Sequence, residues 1–289
     1  MSILSIQSHV AYGHVGNSAA VFALQRLGIE VWPVMTVQLS NHTGYPSWRG
    51  RAFEADHIAE VVAGLDEMGL LAGCEAVLSG YLGSAAIGGA VLDAVARVRR
   101  ANAGAVHLCD PVMGDRDRGL FVPEEVAAFV RDQAVPRANI VTPNLFELER
   151  LTGRQLEDPE GALAAARSVL DLGPDIVLVT SVRFPERHKD EVALLAVARD
   201  AAWRVATPWL ELAAPVNGAG DALAALFLGL YLRAVPGPAR VPDALTGAAA
   251  AIFALIEATR EAGARELALI GAQDALVNPE RTFPAEPLD

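Results

Sequence analysis

Cysteine is scarce in this chain: its 289 residues contain two, Cys74 and Cys109, both in apolar surroundings. Two are too few for a disulfide framework or a thiolate zinc site, and they point to a reduced compartment. Basic charge is also in short supply, with 23 Lys and Arg against 35 Asp and Glu and a formal net charge of −12. Without a basic run, nonspecific binding to nucleic acid or an anionic membrane is disfavoured, whereas a nucleotide needs only local donors. No apolar run reaches the roughly 18 residues that span a bilayer. The longest Ala-rich stretch, residues 248–256, stops at Glu257. The opening MSILSIQS has no basic segment ahead of a long apolar one, so no signal peptide, a soluble chain and a cytoplasmic location are expected. A G-x-x-x-x-G-K-[ST] loop is missing, which excludes a P-loop kinase. Neither a nucleophile elbow nor a G-x-G-x-x-G after the first apolar run is present. Linkers, low-complexity tracts and fixed-period repeats are lacking too, so one domain over residues 1–289 is expected.

What is present is a core-forming composition, 52% hydrophobic with 20% charged residues. Strand-length apolar runs at 3–7, 31–37, 76–79, 106–109, 140–141 and 176–180 alternate with helical patterns. The helices are expected at 18–27, 54–70, 86–100, 123–132, 144–152 and 160–172. A hairpin of 192–197 with 203–207 and two long helices, 220–232 and 242–262, follow. The helix at 54–70 is read with Ile58, Val61, Val62, Leu65 and Met68 inward, and that at 86–100 with Ile87, Val91, Val95 and Val98. This alternation predicts an α/β fold: a central, mostly parallel sheet flanked by helices on both faces.

In such sheets ligands bind beyond the carboxyl ends of the strands, so the residues just after each strand are the ones to inspect. Pro215-Val-Asn-Gly-Ala-Gly-Asp221 opens a long helix. Gly218, Ala219 and Gly220 offer successive N–H groups to an anion, and Asp221 stands where a carboxylate can take a proton from a hydroxyl. A Gly-rich turn with a capping Asp would leave the same letters. Cys109-Asp-Pro-Val-Met-Gly-Asp115 follows another strand. Asp110 and Asp115 there could hold Mg²⁺, or form a solvated turn. In Thr142-Pro-Asn-Leu-Phe-Glu147, Asn144 and Glu147 share the first turn of a helix, either as a capping box, as groups facing a metal and phosphate, or as both. Polar loops around Ser8, Gly13–Asn17 and Ser40–Tyr45 could close over a small polar molecule. His9, His14 and His42 are too scattered to argue a metal site.

Taken together, SIQSHVAYGHVGNSAA, SNHTGY, LSGYLGS, CDPVMGD, VTPNLFELE and NGAGD resemble the pyridoxal kinases of the ribokinase-like superfamily, in the family's order and over nearly the whole chain. The resemblance implies a ribokinase-like fold with small lid loops, for which 40–51 and 115–121 are the candidates. It implies ATP-dependent phosphorylation of the 5′-hydroxyl of pyridoxal, with pyridoxine and pyridoxamine as further substrates. Ser8, Thr43, Gly44, Tyr81 and Asp221 would bind the vitamer. Asp110, Thr142, Asn144, Glu147, Thr180 and Ser181 would handle ATP, with Thr207, Pro208, Trp209 and Leu210 near its base. Asp110, Asp115 and Glu147 would serve Mg²⁺, and K⁺ and a homodimer are also implied. Gly218, Ala219 and Gly220 would form the anion hole beside the base Asp221. Ser181–Glu191 departs from the family pattern. The competing readings are a hydroxymethylpyrimidine kinase, which shares the fold and the GAGD-type hole, and a non-catalytic pyridoxal-binding protein.

Overall fold

A computed structural model describes residues 1–288. In chain order its elements are β1 (Ser2–Val10), α1 (Asn17–Arg26), β2 (Glu30–Leu39), β3 (Gly50–Ala52), α2 (Ala55–Glu67), β4 (Cys74–Ser79), α3 (Ala85–Ala101) and β5 (Val106–Cys109). Then come β6 (Gly114–Asp115), β7 (Gly119–Leu120), α4 (Glu124–Phe129), β8 (Ile140–Val141), α5 (Leu145–Thr152), α6 (Pro159–Leu170) and β9 (Ile176–Val182). The chain closes with β10 (Glu191–Ala198), β11 (Ala202–Pro208), α7 (Ala219–Arg233), α8 (Arg240–Glu261) and β12 (Glu286–Leu288).

One sheet runs β12-β11-β10-β9-β8-β5-β4-β1-β2-β3, and β6 and β7 form a separate small hairpin. From β9 through β2 every neighbouring pair is parallel. The outer strands pair antiparallel at both edges. Alternation along each strand divides the interior in two. Leu4, Ile6, Val77, Val177 and Val179 pack with α2, α3, α4, α5 and α6 on one face. Ile3, Ala76, Leu78, Ile176 and Leu178 pack with α1, α7 and α8 on the other. Helices therefore cover both faces, as the alternating pattern predicts.

Local sequence explains several boundaries. Ser84 caps α3 by accepting from Ile87 N at 3.2 Å, and Asp158 caps α6 with Pro159 at the first helical position. The predicted helix 54–70 stops at Glu67, where the chain turns through Gly69 at φ 72°. Its inward reading is half right: Ile58 and Val62 are buried, but Val61 is 37% and Met68 72% exposed. The predicted helix 123–132 is cut to Glu124–Phe129, followed by a wider π turn over Val130–Ala134. The strands β3, β6, β7 and β12, two or three residues each, escape the sequence pattern because they are too short to show a period. Cys74 and Cys109 are free and buried. Helix α8 is long and apolar enough to cross a membrane by composition, yet its Ala248–Phe253 stretch is buried in the core beside α7.

Candidate active site

The carboxyl ends of the parallel strands open into a cavity of about 320 Å³. It draws together most of the residues singled out in the sequence. Ser8, Thr43, Gly44 and Tyr81 line it, as do Asp110, Asp115, Thr142, Asn144, Glu147, Thr180, Ser181 and the run Gly218–Asp221.

The cradle is built by two glycines doing different things. Gly218 caps α7 with φ 88°, and a Cβ there would collide with the carbonyl oxygen of His14. Its glycine is required by the protein's own backbone rather than by a ligand. Around Gly220 a Cβ would meet nothing within 4 Å, so this is the side open to an incoming group. The free N–H groups at the start of α7 carry the positive end of its dipole. Asp221 lies in the first turn, its carboxyl enclosed by protein although the residue keeps some surface toward the cavity. Burial raises its pKa, and hydrogen bonds from the backbone of Gly16 and of Asp221 itself partly oppose the rise.

Across the cavity, short β8 ends at Val141 and hands the chain to α5. Asn144 and Glu147 form a full capping box: Glu147 N donates to Asn144 Oδ1 and Asn144 N donates to Glu147 Oε2, both at 2.9 Å. Glu147 Oε1 also accepts from Met113 N at 2.9 Å, and Asn144 Nδ2 donates to the carbonyl of Gly114 at 2.8 Å. The capping box thus anchors the segment that follows β5. Asp110 accepts from Thr142 Oγ1 at 2.9 Å. Both carboxyls are nearly sealed from solvent. Burial, then the nearby charges of Glu147 and Asp221, hold Asp110 well above the usual carboxylate range. Burial pushes Glu147 up to about 7 against its backbone donors.

A cation nearby would favour the ionised forms of these buried acids. No group of three or more His, Cys, Asp or Glu side chains among the described residues is arranged to hold one alone. Mg²⁺ needs one or two carboxylates and completes its shell with phosphate oxygens and water, so Asp110 and Glu147 could serve it. Asp115 is differently placed from Asp110 and Glu147. Its carboxylate receives Arg118 Nε at 2.8 Å and Nη2 at 2.6 Å and the N–H groups of Asp117 and Arg118.

Several wall residues lie in or beside segments that the sequence had marked but were not themselves singled out. Arg118, which also donates to Asn217 Oδ1 at 3.1 Å, supplies the cavity's cation. Val10, Val15, Val37, Leu39, Val112 and Phe121 supply an apolar wall. Val10, Val37 and Leu39 sit at strand ends, which was the available signal. Conversely, Thr207, Pro208, Trp209 and Leu210 do not line the cavity. Strand β11 stands two places outward from β9 in the sheet, about 10 Å away. Arg183 bridges that gap, its guanidinium 4.1 Å from the Trp209 ring centroid. Ser181 at the rim adopts φ 53°, the positive value of a non-glycine residue, a strain of the kind that gathers at functional sites.

Other contacts shape the wall opposite the acids. Between the pairs Gln7–Met35 and His9–Gln38, β2 carries one residue more than β1, and Ser8, in that interval, lines the cavity. Thr36 Oγ1 holds the carbonyl of Tyr81 at 2.7 Å.

Against known proteins, residues 55–266 match the family model described as phosphomethylpyrimidine kinase. A pyridoxal kinase of Rubrobacter xylanophilus is 53% identical over 285 residues, 98% of this chain and 96% of its own. Among solved structures, pyridoxal kinase of Leishmania donovani in complex with ADP and ginkgotoxin aligns over 100% of this chain and 99% of its own, with TM-score 0.92 and 32% identity. The same enzyme with ADP and pyridoxamine gives TM-score 0.90 and 31% identity over the same shares. The likeness in fold is to the ribokinase-like architecture expected from the motifs.

Proposed function

Because the chain belongs to the pyridoxal kinases of the phosphomethylpyrimidine kinase family, we propose that it transfers the terminal phosphoryl group of ATP to the 5′-hydroxyl of pyridoxal. The observation that carries this reading is the meeting, in one cavity, of Asp221 at the amino end of α7, the buried acids Asp110 and Glu147, and the vitamer-side wall of Ser8, Thr43, Gly44 and Tyr81.

The pyridine ring lies against Tyr81 and the apolar wall, with Ser8 and Thr43 bonding its polar edge. This directs the 5′-hydroxyl to Asp221, which accepts its proton as the oxygen attacks phosphorus and the bond to ADP breaks. Phosphoryl transfer passes through a loose transition state, so positioning and charge neutralisation dominate. The N–H groups of Gly218, Ala219 and Gly220 receive the charge on the transferred group. Asp110 and Glu147 would hold Mg²⁺, and the ion would screen the phosphate charges. Thr142, Asn144, Thr180 and Ser181 flank the phosphates, and the base extends past Ser181 toward Thr207–Leu210. The hairpin loop 115–121 and the loop 40–51 exclude water, which would otherwise hydrolyse ATP.

The test incubates purified protein with Mg-ATP and pyridoxal, pyridoxine, pyridoxamine or hydroxymethylpyrimidine, then looks for each monophosphate by mass spectrometry. Pyridoxal 5′-phosphate is expected. Preferential phosphorylation of the pyrimidine alcohol, or tight vitamer binding with no ATP consumed, would defeat the reading. We extend it to a homodimer in the cytoplasm, for which sedimentation equilibrium and cell fractionation are the checks.

A further inference from the structure

Glu266 lies after α8, far in sequence from every motif at the cavity, yet its carboxylate enters the loops above it. Tyr45 Oη donates to Glu266 Oε1 at 2.7 Å, and His42 Nε2 lies 3.1 Å from the same oxygen. His14 N donates to Oε2 at 3.1 Å. Because Gly44 N donates to His42 Nδ1 at 3.1 Å, the imidazole proton that completes this set sits on Nε2. The pair is sheltered, with 12% of each side chain exposed for His42 and Glu266. Gly13 leaves the space that the carboxylate occupies, since a Cβ there would overlap it. The neighbouring Arg265 guanidinium lies 5.0 Å from the Tyr45 ring centroid, and the His42 and Tyr45 rings are 4.6 Å apart.

Between His42 and Tyr45 lie Thr43 and Gly44, both on the cavity wall. We propose that Glu266 is a positioning residue for substrate recognition: by clasping Tyr45, His42 and the Gly13–His14 turn, it sets where Thr43 and Gly44 meet the alcohol substrate. This rests on the reading of the chain as a pyridoxal kinase. Glu266 itself does not line the cavity, so it acts through the loops it clasps, and Thr43 and Gly44 put its main influence on the vitamer side. Hydrogen bonds to a charged group are the stronger kind, and losing a set of them should cost roughly tenfold or more in the property they support.

Accordingly, Glu266→Ala should raise KM for pyridoxal roughly tenfold while KM for ATP stays within about twofold. Tyr45→Phe, which removes one arm, should raise KM for pyridoxal by a smaller factor, and the double variant should be no worse than Glu266→Ala alone. Glu266→Gln, which can still accept from Tyr45, should recover part of the loss. Equal rises in both KM values, additive single effects, or an unchanged KM for pyridoxal would each overturn the proposal. Amide hydrogen exchange of 42–45 in the ligand-free protein gives a readout independent of turnover. Faster exchange there in Tyr45→Phe and Glu266→Gln, with α7 protected as in the parent, is expected; unchanged exchange refutes the clasp. If the parent exchanges as expected yet phosphorylates no vitamer, it is the proposed activity that falls, not the clasp.

Discussion

The two halves of the cavity are held by different means. On the phosphate side main-chain bonds between strand ends do much of the holding, beside the Asn144–Glu147 capping box: Asp110 N donates to Ser79 O at 2.8 Å, Thr142 N to Cys109 O at 3.2 Å and Thr180 N to Pro143 O at 2.8 Å. On the vitamer side the tip of the loop after β2 hangs chiefly on side chains, including Asn41 Nδ2 to Ser47 O at 2.9 Å and the bonds to Glu266. A triphosphate presents the same groups whatever alcohol it phosphorylates, so a rigid sheet edge suits it. An aromatic alcohol must enter, be enclosed and leave, which suits a loop that can open without breaking the sheet.

The largest effect that could break this contrast concerns Asp221, which faces both halves. Asp221→Asn should lower kcat about 10²–10⁴-fold while the protein melts no earlier than the parent, because the change removes a desolvated acid. Steady-state rates with a folded variant check this, and near-parental turnover would take Asp221 out of the chemistry. A second, smaller effect sharpens the contrast within the cradle. Gly218→Ala meets both a positive φ and the His14 carbonyl, so denaturant unfolding should show a loss of about 2–4 kcal/mol. Gly220→Ala, facing open space, should unfold like the parent but bind nucleotide more weakly by calorimetry. Equal destabilisation by both would show that the cradle does not divide in this way.

The smallest effect is on pH dependence. Glu147 has its pKa raised from 4.5 to about 7, so the folded state holds its proton more tightly than the unfolded one. The resulting stabilisation is complete below 4.5 and is lost as pH rises through about 7. A cation with nucleotide favours the ionised form, so its stabilising effect should grow over the same window. Thermal melts with and without Mg²⁺ and nucleotide should diverge by a few degrees as pH rises, and Glu147→Gln should flatten the divergence. Parallel curves would mean that Glu147 stays protonated in the complex.

The same contrast explains what the sequence made legible. Asn144 and Glu147 could be paired from their spacing, because a capping box is a local pattern that the structure reproduces atom for atom. The alternation of β1, β4 and β9 between the two cores was equally readable, being periodic. Glu266 was not, since its partner His14 is 252 positions away and nothing local marks a lone Glu after a helix. The commitment of Asp115 to Arg118 was missed for another reason: it depends on the turn between β6 and β7, too short to carry a pattern. Thr207–Leu210, assigned to the nucleotide base by resemblance alone, lie at and beyond the end of β11, and strand order in a sheet, which spacing does not encode, places them outside the cavity.

The two outermost strands, β3 and β12, have three residues each. In β12 the middle residue is Pro287, which has no N–H to offer a neighbour. At the other margin β3 pairs only with Val37–Leu39 of β2, and the open stretch Glu30–Thr36 is interrupted by Pro33, which also lacks an N–H. An extended chain adding to either margin would meet a proline, and growth of this protein into ribbons is opposed at both.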